Sequence, residues 1–461
     1  MSVISTFVVP HPPLIIPKIG RGQEIKIERT IESYNRIAKK IAEIKPDTIV
    51  IISPHSVMYS DYIHISPGKK ASGNFREFGE TETKFEVNYD DEFANKLAQL
   101  SEEEEIHAGT LGEKNKSLDH GTMVPIFFVD KYYKDYNVVR ISISRLSFIE
   151  HYNFGKCISK IADELNRKVV VIASGDLSHM LKEEGPYGYT DEGPIFDREV
   201  TEALSKGDFM RLLTLDEDFC EIAAECGLRS FIIMAGSLDG KSVKSELLSY
   251  EGPYGVGYSV ASFDITGIDD NRHFDKIYNH IEEERLNLIM EKEDEYVKLA
   301  RNSLESYINN KKIIEKTDKL PDEMLNNKSG VFVSLKLNGQ LRGCIGTISP
   351  TTDCVADEII QNAISSGLED PRFNPVSKSE LKKLEYSVDV LGAAESIKSM
   401  DELDVKRYGV IVTKDKKRGL LLPNLEGVDT VEEQISIALK KAGISPNESY
   451  QLERFEVVRH K

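Results

Sequence analysis

Four histidines stand in turn-like settings beside proline, glycine or aspartate: His11 in Pro10-His11-Pro12-Pro13, His55 in Ser53-Pro54-His55, His120 in Asp119-His120-Gly121, and His179 in Gly175-Asp176-Leu177-Ser178-His179. His64, His107, His151, His273, His280 and His460 lack that setting. One loop histidine is more often structural than functional. Several on a shared sheet edge are another matter, because neutral imidazole is the commonest metal ligand and its charge changes near neutral pH. The chemistry on offer is a metal centre with a neighbouring general acid or base.

The elements that must position these side chains are strands. Val169-Val170-Val171-Ile172 has no polar alternation, as expected of a strand covered on both faces of a parallel sheet, and it stops in a Ser-Gly-Asp turn that delivers Asp176 and His179. Ile4 to His11 and Ile49 to His55 end the same way. Ligands of open α/β sheets bind at such carboxyl ends. Between the two runs Ile27, Ile31, Tyr34, Ile37, Ile41 and Ile44 recur at helical spacing, which predicts a βαβ unit with both histidines on one sheet edge. Tyr59 to Glu86 reads as an excursion near the site mouth, Val138 to Ser144 as a strand, and Phe154 to Asn166 as a helix. Phe219 to Ser237 reads as one helix and Val256 to Phe263 as a closing strand. The acidic run Glu102 to Glu105 is a solvated helix end, since four consecutive carboxylates cannot converge on one helix face.

A length of 461 residues is too great for one core. From Thr266 to about Asn287 the sequence turns charged and loses its apolar runs, so we divide it into a domain over 1–267, a linker over 268–287 and a domain over 288–461. The first domain is expected to be α/β, with a mostly parallel sheet and helices on both faces, and the second α+β. In the second, Val331 to Leu337 and Gln340 to Ile345 flank Asn338-Gly339, a type I′ hairpin signal. Helices are expected near Asp294 to Asn309 and over Val431 to Ala442, with strands over Tyr386 to Leu391 and Tyr408 to Thr413.

With 59 basic against 77 acidic residues and a net charge of -18, nucleic acid is excluded as a main partner. Cys157, Cys220, Cys226, Cys344 and Cys354 form no Cys-x-x-Cys pair and no disulfide framework, which fits a reducing cytoplasm. No run approaches the roughly 20 apolar residues of a membrane span. Prolines 10, 12, 13 and 17 break the apolar N-terminus before a signal-peptide core could form. Self-association into a homo-oligomer is left open.

The ordered set of histidine motifs, followed by Glu225-Cys226-Gly227, the run Phe231 to Leu238 and Tyr250-Glu-Gly-Pro-Tyr-Gly-Val-Gly-Tyr258, resembles class III extradiol ring-opening dioxygenases of the LigB type over about 1–265. The resemblance implies an Fe(II) centre held by His11, His55 and Glu225, open to a catechol-like or phenolic small molecule and O₂. It further implies outer-sphere roles for His120 and His179, the latter as acid/base, with Asp176 orienting it. Glu251 is a rival third ligand. Cys226 is another, because the related Memo proteins carry a cysteine near their metal, and a thiolate would bring copper or zinc into contention.

Residues 290 to 460 resemble AMMECR proteins through Leu341-Arg-Gly-Cys344-Ile-Gly346, Asp370-Pro-Arg-Phe-Asn-Pro375 and Gly419-Leu-Leu-Leu-Pro423. Arg342, Cys344 and Arg372 could there line an anion pocket, with Gly343 and Gly346 admitting the ligand to the backbone. A fusion of the two types resembles the AmmeMemoRadiSam systems. That implies a radical-SAM partner protein, and a metal-binding or maturation role without dioxygenase turnover as the alternative function.

Overall fold

The computed structural model describes residues 3–114, 117–425 and 427–461, and they form two compact units, Met1–His280 and Ile281–Lys461. The first is built on a six-stranded sheet in the order Asn137–Ile141, Thr48–Ile52, Val169–Ser174, Val3–Val9, Tyr258–Ile268, Lys241–Glu251. The first four run parallel, Tyr258–Ile268 runs against them, and Lys241–Glu251 pairs antiparallel with Tyr258–Ile268.

The lack of polar alternation in the parallel strands follows from burial on both faces. Phe7, Val9, Ile49, Ile51, Val170 and Ile172 join one core, against Tyr34, Ile37 and Ile41 of the helix Glu28–Ile44. Val8, Val50, Ile52, Val171 and Ala173 face the other, against Phe154 and Ile158 of the helix Phe148–Glu164 and Phe231 of the helix Leu228–Gly236. Each fully buried side chain of this size contributes about 1.5–3 kcal/mol. A charge at Val171 would therefore break the layer.

Val169–Ser174 lies between the two strands of the expected βαβ unit, so the run that ends in Asp176 and His179 sits between those ending in His11 and His55. The excursion after His55 includes the hairpin Lys70–Asn74 with Lys84–Asn88. Two departures from the sequence reading stand out. Lys241–Glu251 is a long edge strand that went unread, because its residues are mostly half-buried and carry no clean alternation. The expected single helix Phe219–Ser237 is two helices, Glu217–Ile222 and Leu228–Gly236, parted by a turn with Ala224 at φ 51.

The stretch 268–287 contains most of a helix, Phe274–Lys292, across which the division of units falls. In the second unit the helix Glu295–Asn310 precedes two four-stranded antiparallel sheets. Asn338 (φ 52) and Gly339 (φ 80) both have positive φ, as a type I′ turn requires, between Val331–Leu337 and Gln340–Gly346. The helix Val431–Ala442 starts at a Thr430/Glu433 capping box and ends at Gly443, φ 62. Among the described residues no helix is long and apolar enough to cross a membrane.

Candidate metal centre

The carboxyl ends of two parallel strands bring His11 and His55 to Cys226, which stands between the helices Glu217–Ile222 and Leu228–Gly236, with one ligand atom from each within 4.8 Å of the others. Hydrogen bonding fixes the tautomer of His11. The Ser174 hydroxyl donates to the Gly121 carbonyl (2.6 Å), so at His11 Nδ1, 3.0 Å away, it can only accept. Nδ1 therefore carries the proton, and the His11 Nε2 lone pair faces His55 Nε2 at 2.9 Å and Cys226 Sγ at 3.6 Å. The 2.9 Å gap either holds a proton from His55 or presents two lone pairs to one cation.

Burial keeps the imidazoles uncharged, which leaves their lone pairs free to donate. Burial, reinforced by His55, His120 and His179, holds His11 well below the ordinary imidazole range, and burial also lowers His55. Burial pushes the Cys226 thiol upward and Asp176 up to about 7. Neutral imidazole is the form that binds a divalent ion, and the Cys226 thiol would give up its proton to join the two histidines.

Glu225, the expected third ligand, is not part of this group. Its carboxylate accepts from Leu228 N at 2.6 Å and so caps the helix Leu228–Gly236. The turn at Ala224 turns neighbouring Cys226 toward the histidines, and Asp176 N donates to its sulfur at 3.3 Å. Glu251 is also elsewhere, accepting from Thr30 N and Oγ1 at 2.7 Å each at the start of the helix Glu28–Ile44.

His120, the first residue of the helix His120–Val129, stacks obliquely on His55 with centroids 4.0 Å apart, and burial lowers it to about 4. Its N-cap Asp119 accepts from Thr122 N at 2.9 Å. His179 donates from Nδ1 to the Ala224 carbonyl, which leaves Nε2 as its basic nitrogen. Asp176 does not orient His179 as expected. It accepts instead from the His11 backbone N–H at 2.8 Å, clamping the loop that carries His11.

All four histidines and Asp176 line a cavity of about 780 Å³, walled further by aromatic residues such as Tyr187, Tyr254 and Tyr258. A second cavity of about 830 Å³ shares His55, Phe78 and His120 with it. Two supporting residues escaped the sequence reading. Ser174 sets the His11 tautomer, and its signal is a hydroxyl ending an otherwise apolar run. Asp197 accepts from Ser178 N (2.8 Å) and Tyr250 Oη (2.6 Å) and holds the loop before His179; nothing local marks it.

The expected anion pocket of the second unit is occupied by the protein's own groups. Arg342 pairs with Glu380 (2.7 Å) and Arg372 with Asp370 (2.7 Å), while Asp370 also accepts from Cys344 N at 2.9 Å. Arg372 holds Asp370 down to about 2. Gly343 serves packing: a Cβ there would lie 2.1 Å from the Ser366 carbonyl.

The family described as the catalytic LigB subunit of aromatic ring-opening dioxygenase matches residues 5–261, and AMMECR1 matches 297–460. A Clostridium acetobutylicum protein is 46% identical over 469 aligned residues, covering 100% of both chains. A Thermotoga maritima protein is 48% identical over 171 residues, 37% of this chain and 98% of its own. Among solved structures, an uncharacterized Pyrococcus horikoshii protein is 34% identical, over 36% of this chain and 88% of its own, at a TM-score of 0.34. The chain belongs to the LigB family, with an AMMECR1 segment joined at its C-terminus.

Proposed function

We propose that the first unit is a non-haem, Fe(II)-dependent oxidoreductase of extradiol type that opens the ring of a catechol-like or phenolic small molecule. The observation that carries this reading is the pair of imidazole Nε2 atoms 2.9 Å apart beside a thiol, at the floor of a partly aromatic cavity that also holds a separately oriented imidazole. His11, His55 and Cys226 would hold the metal, which when bound supplies the Lewis acidity and the electron exchange with O₂ that ring opening requires.

The chain's own groups do the rest. Tyr187, Tyr254 and Tyr258 line the cavity and offer faces on which an aromatic ring can stack. His179 is neutral, because burial lowers it, and its Nδ1–H is fixed on the Ala224 carbonyl. Nε2 can then take the substrate hydroxyl proton and return it later. His120 stays neutral near pH 7 and contributes a polar edge without a charge. The experiment is a catechol panel under O₂ with Fe(II), followed by the absorbance of the ring-opened product. No turnover of any member, with iron bound, would count against the reading.

Cys226 favours a second reading. A thiolate donor suits copper or zinc as well as iron, so the same trio would serve a metal-binding or maturation protein, of Memo type, working with a radical-SAM partner without turnover. Metal content after anaerobic purification separates the two: iron supports the first, and copper or zinc with no ring opening supports the second.

A further inference from the structure

We propose that Asp239, His273 and Asp275 form a second divalent-cation site in the first unit. One ligand atom from each lies within 4.8 Å of the others. Asp239 follows the helix Leu228–Gly236, while His273 and Asp275 stand at the start of the helix Phe274–Lys292.

The donors are already aligned. The Tyr152 hydroxyl holds Asp239 Oδ1 at 2.7 Å, which leaves Oδ2 facing His273 Nδ1 at 2.7 Å. Gly240, at φ 66, lets the backbone pass beneath the imidazole, where a Cβ would come within 2.6 Å of the ring. Asp275 supplies the independent sign of a missing partner. It is 8% exposed, and its Oδ1 is buried with no hydrogen-bond partner among the described residues. A buried carboxylate oxygen left bare keeps its full desolvation penalty unless something occupies it.

Two carboxylates thus converge on one imidazole, and among the described residues the ammonium in contact, that of Lys156, touches Asp275 Oδ2. Lys241, also near Asp239, is tied to Ser159 Oγ at 2.6 Å. One imidazole with two carboxylates is a donor set for zinc, manganese or iron rather than for a soft ion. A bound ion would join the turn after one helix to the start of another, a structural role separate from the proposed ring opening. Lys156 holds Oδ2 and leaves Oδ1 to the ion, yet its positive charge on the same carboxylate opposes a cation there, so this ammonium weakens the site.

The test uses the full chain carrying His11→Ala and Cys226→Ala, so that it stands whether or not the first site holds a metal. Zn²⁺ is titrated by calorimetry, with melting followed in parallel. The expected result is about one Zn²⁺ per chain with a raised Tm, at least tenfold weaker binding after His273→Ala or Asp275→Asn, and tighter binding after Lys156→Met. Absence of binding, binding indifferent to His273→Ala and Asp275→Asn, or weaker binding after Lys156→Met would overturn the proposal and leave the cluster as two ion pairs.

Discussion

At the scale of single residues the centre turns on which of two neighbours, Glu225 or Cys226, faces the histidines. Both stand on the loop between two helices, and the sequence presents them side by side. The choice is made by the positive φ of Ala224 and by the helix start that claims the Glu225 carboxylate. Cys226→Ala should therefore remove most of the bound metal. Glu225→Ala should keep it while costing about 1 kcal/mol of stability through the lost cap. Metal analysis with urea unfolding checks both, and the reverse pattern would restore Glu225 as ligand. His179→Ala should leave the metal in place and lower any turnover by about 10²–10⁴-fold. Asp176 meets the His11 backbone rather than His179, so Asp176→Asn, which keeps an accepting oxygen, should spare the metal and leave the His179 limb of the pH–rate profile where it was. A displaced limb would mean that the carboxylate acts on His179 after all.

At the scale of elements, what was legible in the sequence was local. Apolar runs ending in His11, His55 and Asp176 marked the strands and their shared edge, and Asn338-Gly339 marked its hairpin, because each signal lies within a few residues. The broken helix after Ile222 was not legible. Its cause is a distant contact in which Gly175 packs so closely on Gly227 that a Cβ on Gly175 would lie 2.1 Å from Gly227 Cα. That contact draws the Cys226 loop onto the end of the central strand. Gly175→Ala should thus cost about 1–3 kcal/mol of stability and lose metal as well, and full metal with an unchanged melt would refute the coupling. A second element-scale expectation concerns the helix Phe148–Glu164. His151 within it is fully buried, and burial lowers it to about 3 from 6.5. The unfolded chain takes up this proton from about pH 6.5 downward and the folded chain does not. Stability is therefore complete above that pH and falls as the medium is acidified, by about 2 kcal/mol at pH 5. His151→Gln, neutral at every pH, should flatten that part of the urea-midpoint profile between pH 7 and 5. An unflattened profile would show that other groups set the acid limb.

At the scale of the whole molecule, the His11, His55 and Cys226 group lies in one unit while the chain carries two. Among the described residues, the two cores on either face of the six-stranded sheet draw their members from the first unit, and three further cores draw theirs from the second. Units with separate cores unfold as separate cooperative steps, and a single free energy of unfolding does not then describe the chain. A ligand that binds only the folded form of one unit raises the stability of that unit alone, by about 2.7 kcal/mol at a free concentration of about 100 Kd. Calorimetric melting of the full chain should show two transitions, of which chelation lowers one by several degrees and leaves the other in place. The transition that moves should be the one abolished by a charge placed at Val171, in the sheet that carries the site. The Arg342–Glu380 and Arg372–Asp370 pairs belong to the other unit, so breaking them should shift only the metal-insensitive transition. One transition that moves as a whole on chelation would refute the independence of the two units.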